Sequence, residues 1–321
     1  MDGRVHYEIG AYRICREGKI DQGRDGLLWL PVDESREDAS AVAAVADGIG
    51  LEGEGQAALD DFERCYTWCQ HIRMAVLELL KERHCSTFVG LQLPQTIHEP
   101  GWLISVGDSS AIQVRREGDR VSEVHLLQNP HTFLYYLLEQ FPEIESFVRR
   151  HEQHQQLTFE ELDHFYDILK PYLKSAFSLK SHRKAFRKSL RLASVGGNVQ
   201  QFQDKVFLLF YRLKDFIILD LASSKRDVEQ VIGYGKQVYF RPGDDFLLHT
   251  DGMDLSPEAI ANILDQSSPL EAAERLVKAS QKEDDRAVIV VRVREGVPQQ
   301  RFTESVRRSL LPSRPYQSEA S

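Results

Sequence analysis

Five aspartates, Asp25, Asp47, Asp108, Asp251 and Asp284, share one local context: each borders a stretch that reads as a β-strand, and Asp47 and Asp251 are followed directly by glycine. The segment Ala44-Val45-Ala46-Asp47-Gly48-Ile49-Gly50 is the sharpest case, a short apolar run that ends in a carboxylate and then in residues that let the backbone turn tightly. Asp-Gly is also a common turn dipeptide, and turn chemistry alone would scatter such aspartates over both edges of the sheets. If they converge instead, several carboxylates at close range cannot all stay ionised without cations between them. An all-oxygen ligand set favours magnesium or manganese over zinc. Two such ions about 4 Å apart can share a water, lower its pKa and neutralise phosphoryl oxygens, which suits phosphate-ester hydrolysis without a protein nucleophile. No G-x-S-x-G motif and no activated-cysteine signature offers a competing nucleophile.

The elements that must position these carboxylates are mostly strands. Residues 6–15 and 26–32 read as extended segments around a polar turn, which puts Asp25 just ahead of the second. A strand over 41–46 leads into Asp47, and residues 55–83 carry apolar positions at helical spacing, one or two helices with one face on a sheet. Strand signals follow at 87–93, 101–106, 111–115 and 121–126, with Asp108 in the turn Gly107-Asp108-Ser109-Ser110. Their alternation predicts an antiparallel sheet with a covered face. Further strands are expected at 216–221, 237–240 and from Phe246 into Asp251, then two helices within 256–281 opened by Ser256-Pro257-Glu258 and Ser268-Pro269-Leu270-Glu271. Glu283-Asp284-Asp285 precedes the strongest strand, 287–293. Residues 141–215 differ in texture and read as a helical insert, and 295–321 lack periodicity and read as a mobile tail.

With 321 residues, 42% hydrophobic and 28% charged, the chain is long enough to bury a sizeable core. Its net charge of -9 argues against a protein that coats nucleic acid. The basic run from Lys180 to Arg191 is read first as a solvated helix face and only second as a phosphate contact. Neither a signal peptide nor a membrane-length apolar run is evident, so the expected compartment is the cytoplasm, with no membrane partner. Cys15, Cys65, Cys69 and Cys85 are too few for a disulfide framework and are expected to be reduced and mostly buried.

In order along the chain, Gln22-Gly23-Arg24-Asp25, D-G-x-G at 47–50, Ser86-Thr87-Phe88-Val89, V-G-D-S at 106–109, P-G-D at 242–244 followed by a strand into T-D-G at 250–252, and Asp284-Asp285 before a valine-rich strand are similar to the motifs of the metal-dependent (PPM, type 2C) serine/threonine protein phosphatases. The resemblance covers about residues 6–140 and 215–294 and implies an α/β sandwich of two antiparallel sheets flanked by helices, here running over residues 1–294 and interrupted by the insert at 141–215. It implies a hydrolase acting on phosphoserine and phosphothreonine in phosphoprotein substrates with two Mg²⁺ or Mn²⁺ ions, and a third, weaker ion in bacterial relatives. Carried over by position, Asp47 would bridge the two ions and Gly48 would offer its carbonyl. Asp251 and Asp284 would complete one ion, Asp25 would sit in the outer shell of the second, and Asp108 would serve the third.

The sequence departs from that pattern at several points. Arg24 stands where the family has an acidic or amide residue, the arginine that grips substrate phosphate is missing, and Lys19 or Arg24 is the candidate to replace it. Leu51, Ser110 and Ala287 replace Gly, Arg and Thr, and Asp285 stands where Asn is usual, which leaves Asp284 and Asp285 as alternative ligands. These departures keep a second reading open, a pseudophosphatase or regulatory binding module that recruits a protein partner through the insert.

Overall fold

The computed structural model describes residues 3–15, 23–32, 40–49, 52–118, 120–176, 199–211, 217, 220–223, 226, 228–229 and 235–296. Ten strands form from the alternating and apolar runs: β1 (Val5–Ile14), β2 (Gly26–Leu30), β3 (Ser40–Ala46), β4 (Phe88–Pro94), β5 (Gly101–Val106), β6 (Ser110–Glu117), β7 (Arg120–Leu126), β8 (Lys236–Val238), β9 (Asp245–His249) and β10 (Arg286–Glu295). Eight helices are present among the described residues: α1 (Glu54–Cys69), α2 (Ile72–Leu79), α3 (Phe133–Gln140), α4 (Pro142–Glu152), α5 (Phe159–Ala176), α6 (Val199–Tyr211), α7 (Pro257–Asp265) and α8 (Pro269–Ala279).

The strands make two five-stranded antiparallel sheets, the first in the order β1-β10-β9-β6-β7 and the second in the order β2-β3-β4-β5-β8. β3 shows how the layers arise. Ala41, Ala43 and Val45 enter the core between the sheets, while Val42, Ala44 and Ala46 pack on α1 and α2 through Phe62, Ile72 and Leu79, the period-two division of a strand buried on both faces. The first sheet is covered likewise, with Val288 and Val290 of β10 against Ile260, Leu264, Leu276 and Val277 of α7 and α8. The result is an α/β sandwich, helices outside and two antiparallel sheets inside. Ser256 and Ser268 cap α7 and α8 as their sequences predict, Ser268 in a full capping box with Glu271.

The chain divides into two compact units, Met1–Pro130 with Leu219–Ser321, and His131–Ile218. The second unit is helical, starts earlier than residue 141, and has its own core of Leu137, Phe147, Phe165, Phe207 and Phe210. His151 in this unit stacks on Phe207 with ring centroids 3.9 Å apart. The basic run 180–191 and the tail from 297 onward lie outside the described residues.

Several boundaries differ from the sequence reading for local reasons. The stretch 55–83, read as one or two helices, is two; they end at Leu79, short of residue 83, and are separated where Gln70 adopts φ 53° and its N–H closes on Tyr66 O at 2.8 Å. The strand expected to run into Asp251 ends at His249, because Met253 N–H bonds back to Thr250 O and turns the chain. In the strand expected over 216–221, Ile217 forms only an isolated bridge to Thr132 and Asp220 opens a turn closed by Ser223 N–H, with 216, 218 and 219 outside the described residues. None of the four cysteines is joined in a disulfide, and only Cys15 is buried; Cys85 is exposed. No helix among the described residues is long and apolar enough to cross a membrane.

Candidate metal centre

Antiparallel pairing sets the start of each strand beside the end of its neighbour. In the second sheet Gly26, which opens β2, pairs with Ala46, which closes β3, and Phe88, which opens β4, pairs with Val106, which closes β5. Asp25, Asp47, Thr87 and Asp108 therefore lie at one end of that sheet. In the first sheet Ile14 pairs with Arg286, and Ser110 and Val288 both pair with His249. Asp108, Asp251, Asp284 and Asp285 thus share one end of that sheet too. The two ends are tied together directly: Thr250 Oγ1 donates to Asp25 Oδ2 at 2.8 Å, and Arg24 N–H donates to Asp285 Oδ2 at 2.7 Å. The five aspartates picked out by sequence meet at one end of the sandwich rather than scattering over both.

The loop after β3 is fixed by close backbone approach. Gly48 N–H donates to Arg24 O at 3.2 Å, and a Cβ at Gly48 would stand 2.7 Å from that oxygen, so a side chain there would push the Asp25 and Asp47 loops apart. Thr87 N–H donates to Asp47 O, Ser86 Oγ donates to the same oxygen, and Thr87 Oγ1 accepts from Asp47 N–H while standing 2.6 Å from Ser109 Oγ. Sequence reading missed these hydroxyls as positioning groups; their signal was three small hydroxyl residues at strand ends, a pattern that turns also produce.

Electrostatics at this end are unfavourable to its own carboxylates. Asp25 is 2% exposed and Asp108 is 9% exposed, and one oxygen of each, Asp25 Oδ1 and Asp108 Oδ1, finds no hydrogen-bond partner among the described residues. Burial, then the field of Asp251, pushes the Asp108 carboxyl up to about 7. Asp25 and Asp47 are raised as a coupled pair, first by burial and then by the fields of the neighbouring carboxylates, against the bond from Thr250 that favours the Asp25 anion.

Two basic side chains lie among the acids. Lys282 Nζ pairs with Asp251 Oδ2, bonds Asp251 O at 3.0 Å and stands 3.9 Å from Asp284 Oδ2. Burial lowers the Lys282 pKa, but the bond to Asp251 and the fields of Asp251, Asp284 and Asp108 outweigh it and raise it. Arg24 Nη2 donates to Asp284 Oδ1 at 2.6 Å and Nε to Asp285 Oδ2 at 3.4 Å. Asp284 is thus shared between both cations, whereas Asp285, 6% exposed, also anchors the backbone of the Asp25 loop. Lys282 was not singled out in the sequence, where the run Gln281-Lys282-Glu283-Asp284 reads as an ordinary charged loop. Lys19, Gly50 and Leu51 lie outside the described residues.

The donor set suits a hard divalent cation: crowded carboxylates, Asp25 and Asp108 buried and Asp47, Asp251 and Asp284 half-buried, with one buried oxygen each on Asp25 and Asp108 awaiting a partner. Among the described residues no three His, Cys, Asp or Glu side chains already stand at metal-holding spacing. Asp251 and Asp284 face Lys282 and Arg24 instead.

No protein-family model matches the chain, and no curated protein matches it. Solved structures do. The chain is similar to PppA, a key regulatory component of the T6SS in Pseudomonas aeruginosa, with TM-score 0.51 and 13% identity over 90% of this chain and 99% of that one. It is similar to the serine/threonine phosphatase of S. agalactiae with TM-score 0.51 and 14% identity over 89% and 99% of the two chains. A third likeness is to the PP2C phosphatase domain and regulatory fragment of SpoIIE from Bacillus subtilis, with TM-score 0.50 and 12% identity over 92% and 65%. The fold is that of the PPM, or type 2C, serine/threonine phosphatases.

Proposed function

We propose that the chain is a divergent PPM phosphatase that hydrolyses phosphoserine and phosphothreonine in protein substrates with Mg²⁺ or Mn²⁺. The observation that supports this most is the gathering of Asp25, Asp47, Asp108, Asp251 and Asp284 at one end of the sandwich, with buried carboxylate oxygens that lack donors. Asp47 would bridge two ions, with Gly48 lending its carbonyl; Asp251 and Asp284 would complete one ion, Asp25 would stand behind the second, and Asp108 would hold a third. Bound divalent ions would supply Lewis acidity, lowering the pKa of a water and neutralising phosphoryl charge. The chain's own part is to hold the acids in place: Thr250 orients Asp25, Thr87 and Ser86 fix the Asp47 loop, and the sandwich keeps Asp25 and Asp108 from bulk water. Arg24, and Lys19 by its place in the sequence, are the groups offered to substrate phosphate. The free cysteines suit a cytoplasmic setting. Hydrolysis of a small aryl phosphate with added manganese tests the reading; activity indifferent to chelator, Asp47→Asn and Asp251→Asn would reject it.

A specific observation favours a second reading. Lys282 and Arg24 already pair with Asp251, Asp284 and Asp285, as expected of a pseudophosphatase that keeps the fold and recruits a partner through the helical unit. That unit exposes Phe159 and Leu208 beside its own core. A chain that binds no divalent ion and still captures its partner would support this alternative.

A further inference from the structure

Lys282 sits on the loop between α8 and β10, two residues before Asp284, and the bond from Asp284 N–H to Lys282 O at 2.9 Å holds the two in a tight turn. Its ammonium lies within 4 Å of three oxygens, Asp251 Oδ2, Asp251 O and Asp284 Oδ2. An all-oxygen shell drawn from a carboxylate, a carbonyl and a second carboxylate is what a hard cation takes, and an ammonium is a compact point charge able to occupy it without the planar geometry a guanidinium demands. The side chain is 33% exposed, so its four-carbon stem has solvent to move into. Arg24 differs in kind, because its own backbone is tied to Asp285 and its guanidinium spans Asp284 and Asp285.

We propose that Lys282 is a built-in competitor for the divalent cation at Asp251 and Asp284: the lysine neutralises these carboxylates while the metal is away and must leave them for it to bind, so residue 282 sets the metal affinity of the site. This rests on the metal-dependent reading above. It adds a device by which the acidic end stays assembled before metal arrives, and by which anything that draws the lysine outward, such as an anionic phosphoprotein segment, raises metal affinity. A cation removed from the shell of an incoming dication relieves repulsion that falls off only slowly at this burial.

The test is calorimetric titration of Mn²⁺ into the full chain at fixed pH, for the natural protein, Lys282→Met, which keeps the stem and removes the charge, and Lys282→Arg, which keeps the charge. The expected result is binding about tenfold or more tighter in Lys282→Met, binding no tighter than natural in Lys282→Arg, and loss of the gain in Lys282→Met/Asp251→Asn. Thermal unfolding without metal is read on the same samples, where Lys282→Met should melt earlier than the natural protein and should recover with Mn²⁺. Equal Mn²⁺ affinity in the natural protein and Lys282→Met would overturn the proposal while leaving the metal centre standing. A gain that survives Asp251→Asn would overturn it as well, by placing the effect elsewhere. Failure of both the natural protein and Lys282→Met to bind Mn²⁺ at millimolar concentration would reject the metal reading itself.

Discussion

At the start of β9, Asp245 is wholly buried and receives four hydrogen bonds from two arginines, Nε and Nη2 of Arg116 and Nε and Nη2 of Arg292, whose remaining donors reach Leu264 O, Ser267 O and Asp265. At the other end of the same sheet Asp108 is also buried, but one of its oxygens meets no donor, and its neighbours are further acids. Arg292 grips both carboxylate oxygens and Arg116 puts two donors on Asp245 Oδ2, so the first cluster is a closed unit that locks α7 onto the sheet. Among the described residues the second cluster sets one lysine and one arginine against six carboxylates, Asp285 included. Buried charge that is satisfied serves the fold, and buried charge left partly unsatisfied marks where something else is meant to bind.

The sharpest break between the two ends should appear in turnover. Asp47→Asn is expected to lower manganese-dependent hydrolysis of an aryl phosphate by about a thousandfold or more, as removal of a shared ligand would, while Arg292→Met leaves turnover per folded molecule unchanged. Comparable losses in both variants would erase the distinction.

Stability should show the reverse order. Arg292→Met strips Asp245 of half its donors and should cost about 3–5 kcal/mol in urea unfolding, the usual penalty for breaking one side of a buried pair. Asp47→Asn should leave the metal-free protein no less stable, because it removes a carboxyl crowded by Asp25 and Asp251. A large loss in Asp47→Asn with none in Arg292→Met would contradict the account.

A smaller effect follows from pH. The carboxyls of Asp25, Asp47 and Asp108 have native pKa values raised above the unfolded value of about 3.9, so the native state binds more protons than the unfolded state between the two. Their contribution is fully present below about pH 4 and is lost as pH rises toward about 7 for Asp108, with the Asp25–Asp47 pair continuing the decline above that. In chelator the protein should lose at least about 2 kcal/mol between pH 5 and pH 8, and Mn²⁺ should restore most of it. A curve that rises over this range would show the carboxylates to be satisfied after all.

The smallest effect serves as a reference lying outside both clusters. Ser268→Ala removes the capping box of α8 and should cost about 1 kcal/mol, equally with and without manganese. A cost that changes with metal would mean that the two ends of the first sheet communicate through that helix.

Most of the strands were legible because their alternation is strong, and the capped helices because Ser-Pro-x-Glu-type starts are local signals. Asp25, Asp47, Asp108, Asp251 and Asp284 were legible as strand-end residues, yet their meeting depends on β1 pairing with β10 and β9 with β6, contacts between distant segments that no local pattern encodes. The end of β9 at His249 and the break at Gln70 were set by single backbone bonds within otherwise apolar runs. Arg24 stood out by sequence as a candidate phosphate grip, and the structure engages it with Asp284 and Asp285. Lys282 was hidden because a lysine in a charged loop is usually solvated, and only the turn that folds it onto Asp251 distinguishes it.

The most direct test is a crystal of the full chain grown with Mn²⁺ and measured for anomalous scattering. Manganese peaks are expected at the acidic end of the sandwich, on oxygens of Asp47, Asp251 and Asp284, with Lys282 turned away from Asp251. An acidic end without manganese, with Lys282 still bound to Asp251 and Asp284, would contradict it.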